Sequence, residues 1–282
     1  MKETDLTIGM PCYDDYDGVY FTIQALRMYH PRIKTLIIDN NPESPSGKET
    51  KKLCDWTKTK YVPFTDFVGT FAKDKVFLHS ETKYTLCCDC HILFKPTSIF
   101  NLIKYYESNP ESNDLIQGVL VYDDLNNYST HFKMRNDDGS PRWSTGMLGQ
   151  WADDDRGAED KSEPFEIECQ GMGVFSCRTD SWLGFNKHMH GFGGEEGYIQ
   201  EKYRRAGRKT LCLPQLRWVH RFGRPLGIPY PNIWEERLRN YLIGHREFGL
   251  DEKPMFEHFC GIIGREKVIA LANKYKDFDP LS

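Results

Sequence analysis

Apolar positions cluster first at Leu6-Thr7-Ile8-Gly9-Met10, a short run halted by Pro11, and then recur at helical spacing from Val19 to Tyr29. Thr35-Leu36-Ile37-Ile38-Asp39 repeats the strand pattern and gives way to the turn-rich Asn40-Asn41-Pro42-Glu43-Ser44-Pro45. Together these predict a parallel βαβ opening. After Gly69-Thr70 a helical stretch passes through Lys73 and Val76 and leads to Tyr84-Thr85-Leu86-Cys87-Cys88-Asp89, a buried strand with an acidic end. The segment from Met134 to Pro164 is polar and rich in Gly and Asp, and it predicts a lid that orders when a ligand binds. Strand character returns from Phe165 to Cys177, a helix is expected from Glu195 to Gly207, and a strand from Thr210 to Leu213. Near the end, Trp234, Leu238, Tyr241 and Leu242 share one helical face, which would pack on the core or on a second subunit. The pattern is that of an α/β protein. In open α/β sheets ligands bind beyond the carboxyl ends of the strands, where Tyr13, Asp14, Asp39 and Asp89 would converge.

Length and composition narrow this picture. A chain of 282 residues can bury a full core without disulfides, and its nine cysteines, three of them crowded at 87–90, read as reduced thiols of a cytoplasmic protein. The opening residues carry no signal-peptide pattern, and no apolar run approaches a membrane span. A net charge of −4 offers no global attraction to polyanions, although Arg204, Arg205, Arg208 and Lys209 cluster, as do Arg217, Arg221 and Arg224. Neither G-x-G-x-x-G nor G-x-x-x-x-G-K-[ST] is present, so phosphates are not expected to be held by those backbone loops.

Asp89-Cys90-His91 carries the sharpest chemistry. If the strand continues through it, Asp89 and His91 share one face and can hold a divalent metal, with His220 as a third donor after the strand-like Leu216–Val219. A strand-capping carboxylate and two hydrogen-bonded core histidines would leave the same local sequence. Cys87 and Cys90 spell C-x-x-C, but on a strand those thiols face opposite ways and no second pair has zinc spacing. Gly191-Phe192-Gly193-Gly194-Glu195-Glu196 is a flexible approach to a helix whose first turn bears two carboxylates, either of which could position or deprotonate an acceptor hydroxyl; the helix dipole alone also favours acids there. Gly171 and Gly173 could leave room for a sugar or form a bulge without function; Trp143, Trp151 and Trp182 could stack on a sugar ring or a base, or anchor the core or a loop; Lys73 and Arg224 could meet diphosphate charge or be solvated at the surface.

From about Leu6 to Arg224 these pieces follow the order seen in GT-A glycosyltransferases, the family-2-like enzymes and their relatives, and the chain resembles them. Asp89-Cys90-His91 stands where that group carries D-x-D, in the D-x-H form that resembles the polypeptide N-acetylgalactosaminyltransferases, as do Gly193-Gly194-Glu195-Glu196 and His220-Arg221-Phe222. The resemblance implies a Rossmann-like GT-A domain over 1–227, with a nucleotide half (1–91) and an acceptor half (92–227), followed by a helical extension (228–282). It implies Asp89, His91 and His220 as ligands of Mn2+ or Mg2+, and a UDP-sugar as donor. On the combined reading the donor meets Pro11, Tyr13, Asp14, Asp39, Asn40, Thr70, Lys73, Asp89, Gly171 and Gly173. The acceptor meets Trp143, Trp151 and Gly194, and Glu195 and Glu196 are the catalytic carboxylates. The acceptor would be a hydroxyl of a glycan or other macromolecule; DNA carrying a hydroxymethylated base is one alternative, and a nucleotide-sugar-binding protein without turnover is another. Retention of configuration is slightly favoured, the C-terminal helices either complete the domain or join a homo-oligomer, and Asp89→Ala should abolish turnover while leaving the fold intact.

Overall fold

The computed structural model describes residues 2–136, 138–139, 149–224 and 227–281. Strand β1 (Leu6–Cys12) leads into α1 (Tyr16–Tyr29), whose N-cap Asp15 accepts a hydrogen bond from the Gly18 amide at 3.1 Å. Then follow β2 (Lys34–Asp39), α2 (Pro45–Thr57), β3 (Lys60–Pro63), α3 (Lys73–His79) and β4 (Tyr84–Cys88). The middle of the chain supplies β5 (Ile92–Phe94), α4 (Ser98–Ser108), β6 (Leu115–Val121), β7 (Tyr128–Ser129), β8 (His131–Lys133), β9 (Gln150–Ala152) and β10 (Phe165–Glu166). After it come β11 (Val174–Arg178), α5 (Glu195–Arg205), β12 (Thr210–His220), α6 (Trp234–Phe248), α7 (Lys253–Ile263) and α8 (Arg265–Lys274).

The main sheet runs β10-β12-β6-β11-β4-β1-β2-β3, with β5 on β12 and β7 on β6, while β8 and β9 form a separate pair. Parallel pairing joins β3, β2, β1 and β4, and β6 to β12; β11 runs antiparallel to both β4 and β6, so all but one of the strands from β12 to β3 share a direction. The chain leaves β1 toward β2 and β3 and later returns to β1's other side as β4. That reversal is a topological switch point, and it opens a crevice beyond the carboxyl ends of β1 and β4.

Each face of the sheet buries its own core. Leu6, Ile8 and Met10 pack with Val19, Ile23 and Leu26 of α1 and with Ile99, Leu102 and Ile103 of α4. Leu36, Ile38, Cys87 and Phe175 pack with Val76 and Phe77 of α3, Tyr198 and Ile199 of α5, and the C-terminal helices. Leu238, Tyr241 and Leu242 are spent within this second core, so the expected helical face packs on its own chain, while Trp234 stays largely exposed.

Three sequence expectations are corrected. The strand starting at Thr210 does not end at Leu213 but continues to His220, because a register shift between Leu213 and Arg217 lets the ladder pass Pro214, which cannot donate to it. The stretch from Phe165 to Cys177 is two short strands. The intervening residues carry the chain from the sheet edge to its middle, and Gln170 satisfies that crossing by donating to the carbonyls of Gly118 (2.7 Å) and Thr130 (2.5 Å). β4 ends at Cys88, so Asp89-Cys90-His91 is a turn rather than strand.

Candidate active site

What brings the site together is the register of β5 on β12. His220 lies opposite Ile92, and the Arg221 amide donates to the His91 carbonyl at 3.2 Å, so the turn after β4 and the end of β12 are fixed side by side. Ligand atoms of Asp89, His91 and His220 consequently all lie within 4.8 Å of one another. The two Nε2 atoms face each other at 3.3 Å, and His220 Nε2 is 3.7 Å from Asp89 Oδ2.

Neighbouring charges set the protonation of this cluster. Burial alone would raise the Asp89 carboxyl, but the Lys73 ammonium at 3.1 Å and the two imidazoles hold it well below the usual carboxylate range. Lys73 is buried and also donates to the Met172 carbonyl at 2.6 Å. Asp89→Ala would leave the buried Lys73 ammonium without its carboxylate, at a cost to stability, so Asp89→Asn is the cleaner substitution. Asp15 shows the same balance: burial pushes its carboxyl up, and the His91 hydrogen bond and the Arg221 guanidinium bring it well below normal. An ionised carboxylate can only accept, so His91 Nδ1, 2.8 Å from Asp15 Oδ2, carries the ring proton and Nε2 presents its lone pair to the cluster. Burial lowers the His91 pKa and keeps the ring neutral, the form that ligates metal. Asp15, Cys90 and His91 form a second group with ligand spacing, but burial, reinforced by Asp15 and Asp89, pushes the Cys90 thiol well above its ordinary value and leaves it a poor ligand.

Among the described residues the buried His220 Nδ1 has no hydrogen-bond partner; with the ring proton there, both Nε2 atoms and the Asp89 carboxylate would turn lone pairs toward one another, an arrangement that positive charge completes. Arg224 supplies part of that positive charge by donating to His91 Nε2. Two imidazoles and a carboxylate are a donor set that fits a divalent metal ion.

Beside the cluster lies a cavity of about 380 Å³. Of the residues singled out in the sequence, Pro11, Tyr13, Asn40, Thr70, Lys73, Asp89, His91, Trp151, Gly171, Gly173, Glu195, Glu196 and His220 line it. Asp14, Asp39 and Gly194 do not, and Trp143 lies outside the described residues. Asp39 is 1% exposed and accepts from the Tyr61 hydroxyl at 2.8 Å and the Asn41 amide at 3.0 Å, so its oxygens are committed within the protein. Asp14, in the left-handed region at φ 50°, accepts from Asn41 Nδ2 at 2.9 Å. Trp182 is a core residue, stacked on Phe77 at 4.2 Å. The basic clusters are likewise engaged: Arg204 and Arg205 pair with Glu201 at 2.8 and 2.7 Å, and Arg217 donates to the Gly157 carbonyl at 2.6 Å.

The far wall is the glycine-rich turn. Gly69 (φ 147°) and Gly191 (φ 76°) pass so closely that a Cβ on Gly69 would fall 1.9 Å from the Gly191 carbonyl oxygen, and this contact ties the turn to the start of α3. The turn delivers Glu195 and Glu196 to different surroundings. Glu195 is buried with Oε2 unpartnered, and burial together with the neighbouring Glu196 charge raises its pKa; Glu196 is partly exposed at the cavity. Asp15, Phe132, Tyr230 and Arg237 line the cavity without having been assigned site roles from the sequence. Nothing local in the sequence links Asp15 to His91.

The architecture is GT-A, the nucleotide-sugar glycosyltransferase fold. The chain is similar to the solved structure of GalNAc-T7 with UDP, GalNAc and Mn2+, with a TM-score of 0.64 and 14% identity over 85% of this chain and 47% of that one. It is also similar to mannosyltransferase PcManGT from Pyrobaculum calidifontis in complex with GDP-Man and Mn2+, with a TM-score of 0.56 and 12% identity over 99% of this chain and 77% of that one. The chain thus spans about half the length of the first of these, and at such identities the likeness is one of fold. No curated protein matches its sequence. Residues 7–173, more than half of the chain, match glycosyl transferase family 2, and the protein belongs to that family.

Proposed function

We propose that this glycosyltransferase transfers a sugar from a nucleoside diphosphate sugar, with UDP as the carrier, to an acceptor hydroxyl, and that it does so with Mn2+ held by Asp89, His91 and His220. The observation that carries this reading is the convergence of those three donors at the switch point of the sheet, against the cavity. The family match supports the reaction class, and the nucleotide sugars and Mn2+ named for the two related structures support the ligands.

When bound, the metal would neutralise charge on the departing diphosphate. The chain's own residues hold the rest of the arrangement. Asp15 fixes the tautomer and orientation of His91, and Lys73 fixes the Asp89 carboxylate. Pro11, Tyr13, Asn40 and Thr70 form the wall for the nucleoside, and Gly173, against the Trp218 ring and Asp89, leaves room for the transferred sugar. Trp151, set edge-on to Phe132 at 4.5 Å, offers an apolar surface to an acceptor ring. Glu196, the accessible carboxylate of the pair, accepts the hydrogen bond of the acceptor hydroxyl. Because the arginines around 204 and 217 are tied within the protein, the cavity favours a carbohydrate acceptor over DNA. Among the described residues no helix is long and apolar enough to cross a membrane.

Thermal melting with UDP or GDP, each with and without Mn2+, tests the reading. A ligand at 100 times its Kd stabilises the native state by about 2.7 kcal/mol. Stabilisation by one nucleotide that needs Mn2+ and is lost in Asp89→Asn is expected; no response to any nucleotide and metal combination would overturn the proposal.

A further inference from the structure

Three cationic side chains line the cavity among the described residues: Lys73, Arg224 and Arg237. Lys73 pairs with Asp89 and Arg224 donates to His91. Arg237 has no ion pair and no side-chain hydrogen bond among the described residues, and its Nε is buried without a partner. Its stem lies along α6, with the guanidinium carbon 4.7 Å from the centre of the Trp234 ring. The head lies over the glycine-rich turn: a Cβ on Gly193, itself at φ 93°, would fall 2.2 Å from Arg237 Nε. The guanidinium is thus held beside the turn that delivers Glu195 and Glu196, while Arg224 is the arginine at the metal cluster. Only Nε is buried; the two terminal nitrogens stay accessible and have no protein partner among the described residues, so they are free to take an anion that enters the cavity. Guanidinium forks match carboxylates and phosphates in two-point geometry.

We propose that Arg237 recognises a carboxylate or phosphate ester on the carbohydrate being joined, so that the enzyme works on an acidic sugar. The inference rests on the transferase reading above and gives it a substrate class. Arg237 lies outside residues 7–173, so this specificity belongs to the part of the chain beyond the family match.

The acidic group can come from the acceptor or from the donor sugar, and paired probes separate the two. With the protein saturated in UDP or GDP and Mn2+, calorimetry compares methyl glucoside with methyl glucuronide and with glucose 6-phosphate as acceptor probes. Without added nucleotide, UDP-glucose is compared with UDP-glucuronate, both with Mn2+. The expected result is roughly tenfold tighter binding of the acidic member in one arm, lost in Arg237→Gln and partly restored in Arg237→Lys, with affinity for the nucleotide and Mn2+ unchanged. Equal binding of acidic and neutral probes in both arms would overturn the proposal, as would a drop in nucleotide affinity in Arg237→Gln, which would put the arginine on the diphosphate. Failure of the wild-type protein to bind any nucleotide with Mn2+ would instead remove the transferase reading beneath it.

Discussion

The two walls of the cavity are built on opposite terms. The wall at the ends of β1 and β4 is braced: Lys73 holds Asp89, Asp15 holds His91 while capping α1, and Asn40 donates to the carbonyls of Phe64 (3.1 Å) and Phe67 (2.6 Å). The wall formed by the turn before α5 and by α6 has Gly191, Gly193 and Gly194 at positive φ, and among the described residues Glu195 Oε2 and Arg237 Nε are buried there without partners. A braced wall presents fixed donors to a part of the substrate that never varies, such as a diphosphate. Unpaired groups on a glycine-rich wall discriminate among substrates, because only a ligand with the right polar atoms satisfies them.

The largest effect should come from unbracing the first wall at its centre. Asp89→Asn keeps the shape but removes a ligand charge, and turnover should fall by about 10³-fold or more, with Mn2+ binding, followed by electron paramagnetic resonance, lost in parallel. Asp89→Ala should in addition cost about 3 kcal/mol of stability through the stranded Lys73 ammonium, read by urea denaturation. On the second wall, Glu196→Gln should lower kcat by about 10²-fold while nucleotide affinity stays unchanged; equal loss of both would move Glu196 to the donor side. Asp15→Asn preserves the helix cap but removes the carboxylate that orients His91, and Mn2+ affinity should fall about 10- to 100-fold with little change in melting temperature.

The smallest effect separates the two adjacent glutamates. The raised pKa of Glu195 means that the folded protein keeps a proton which the unfolded chain has already lost above its ordinary value of 4.5. Folded protein then binds more protons than unfolded, so stability falls as pH rises through the window from 4.5 to the raised pKa. Glu195→Gln removes that slope, and its melting temperature should exceed that of the wild type by a growing margin from pH 5 to 8. Parallel melting curves would show Glu195 to be ionised in the fold.

Much of this molecule was legible along the chain. The apolar runs at Leu6, Thr35 and Tyr84 and the helical spacing from Val19 fixed the parallel opening, and Asp89, His91 and His220 stood out as metal-ligand chemistry, because such periodicities and residue types are local properties. A continuous strand would put Asp89 and His91 on one face, but β4 ends at Cys88; both still line the cavity because the turn after β4 is pinned by the start of β5. Asp39 does not line the cavity: a strand-end acid looks the same in sequence whether it faces a ligand or, as here, accepts from Tyr61 and Asn41.

What the sequence by itself determined was the set of elements and the chemical vocabulary of the site. Tertiary structure decided which words are used together: His91 meets His220 across 129 positions, Asp15 reaches His91 across 76, and Arg237 comes over Gly193 from a helix near the end of the chain. Those meetings depend on strand register and helix docking, which are set by the packing of the whole chain and leave no mark on the residues to either side.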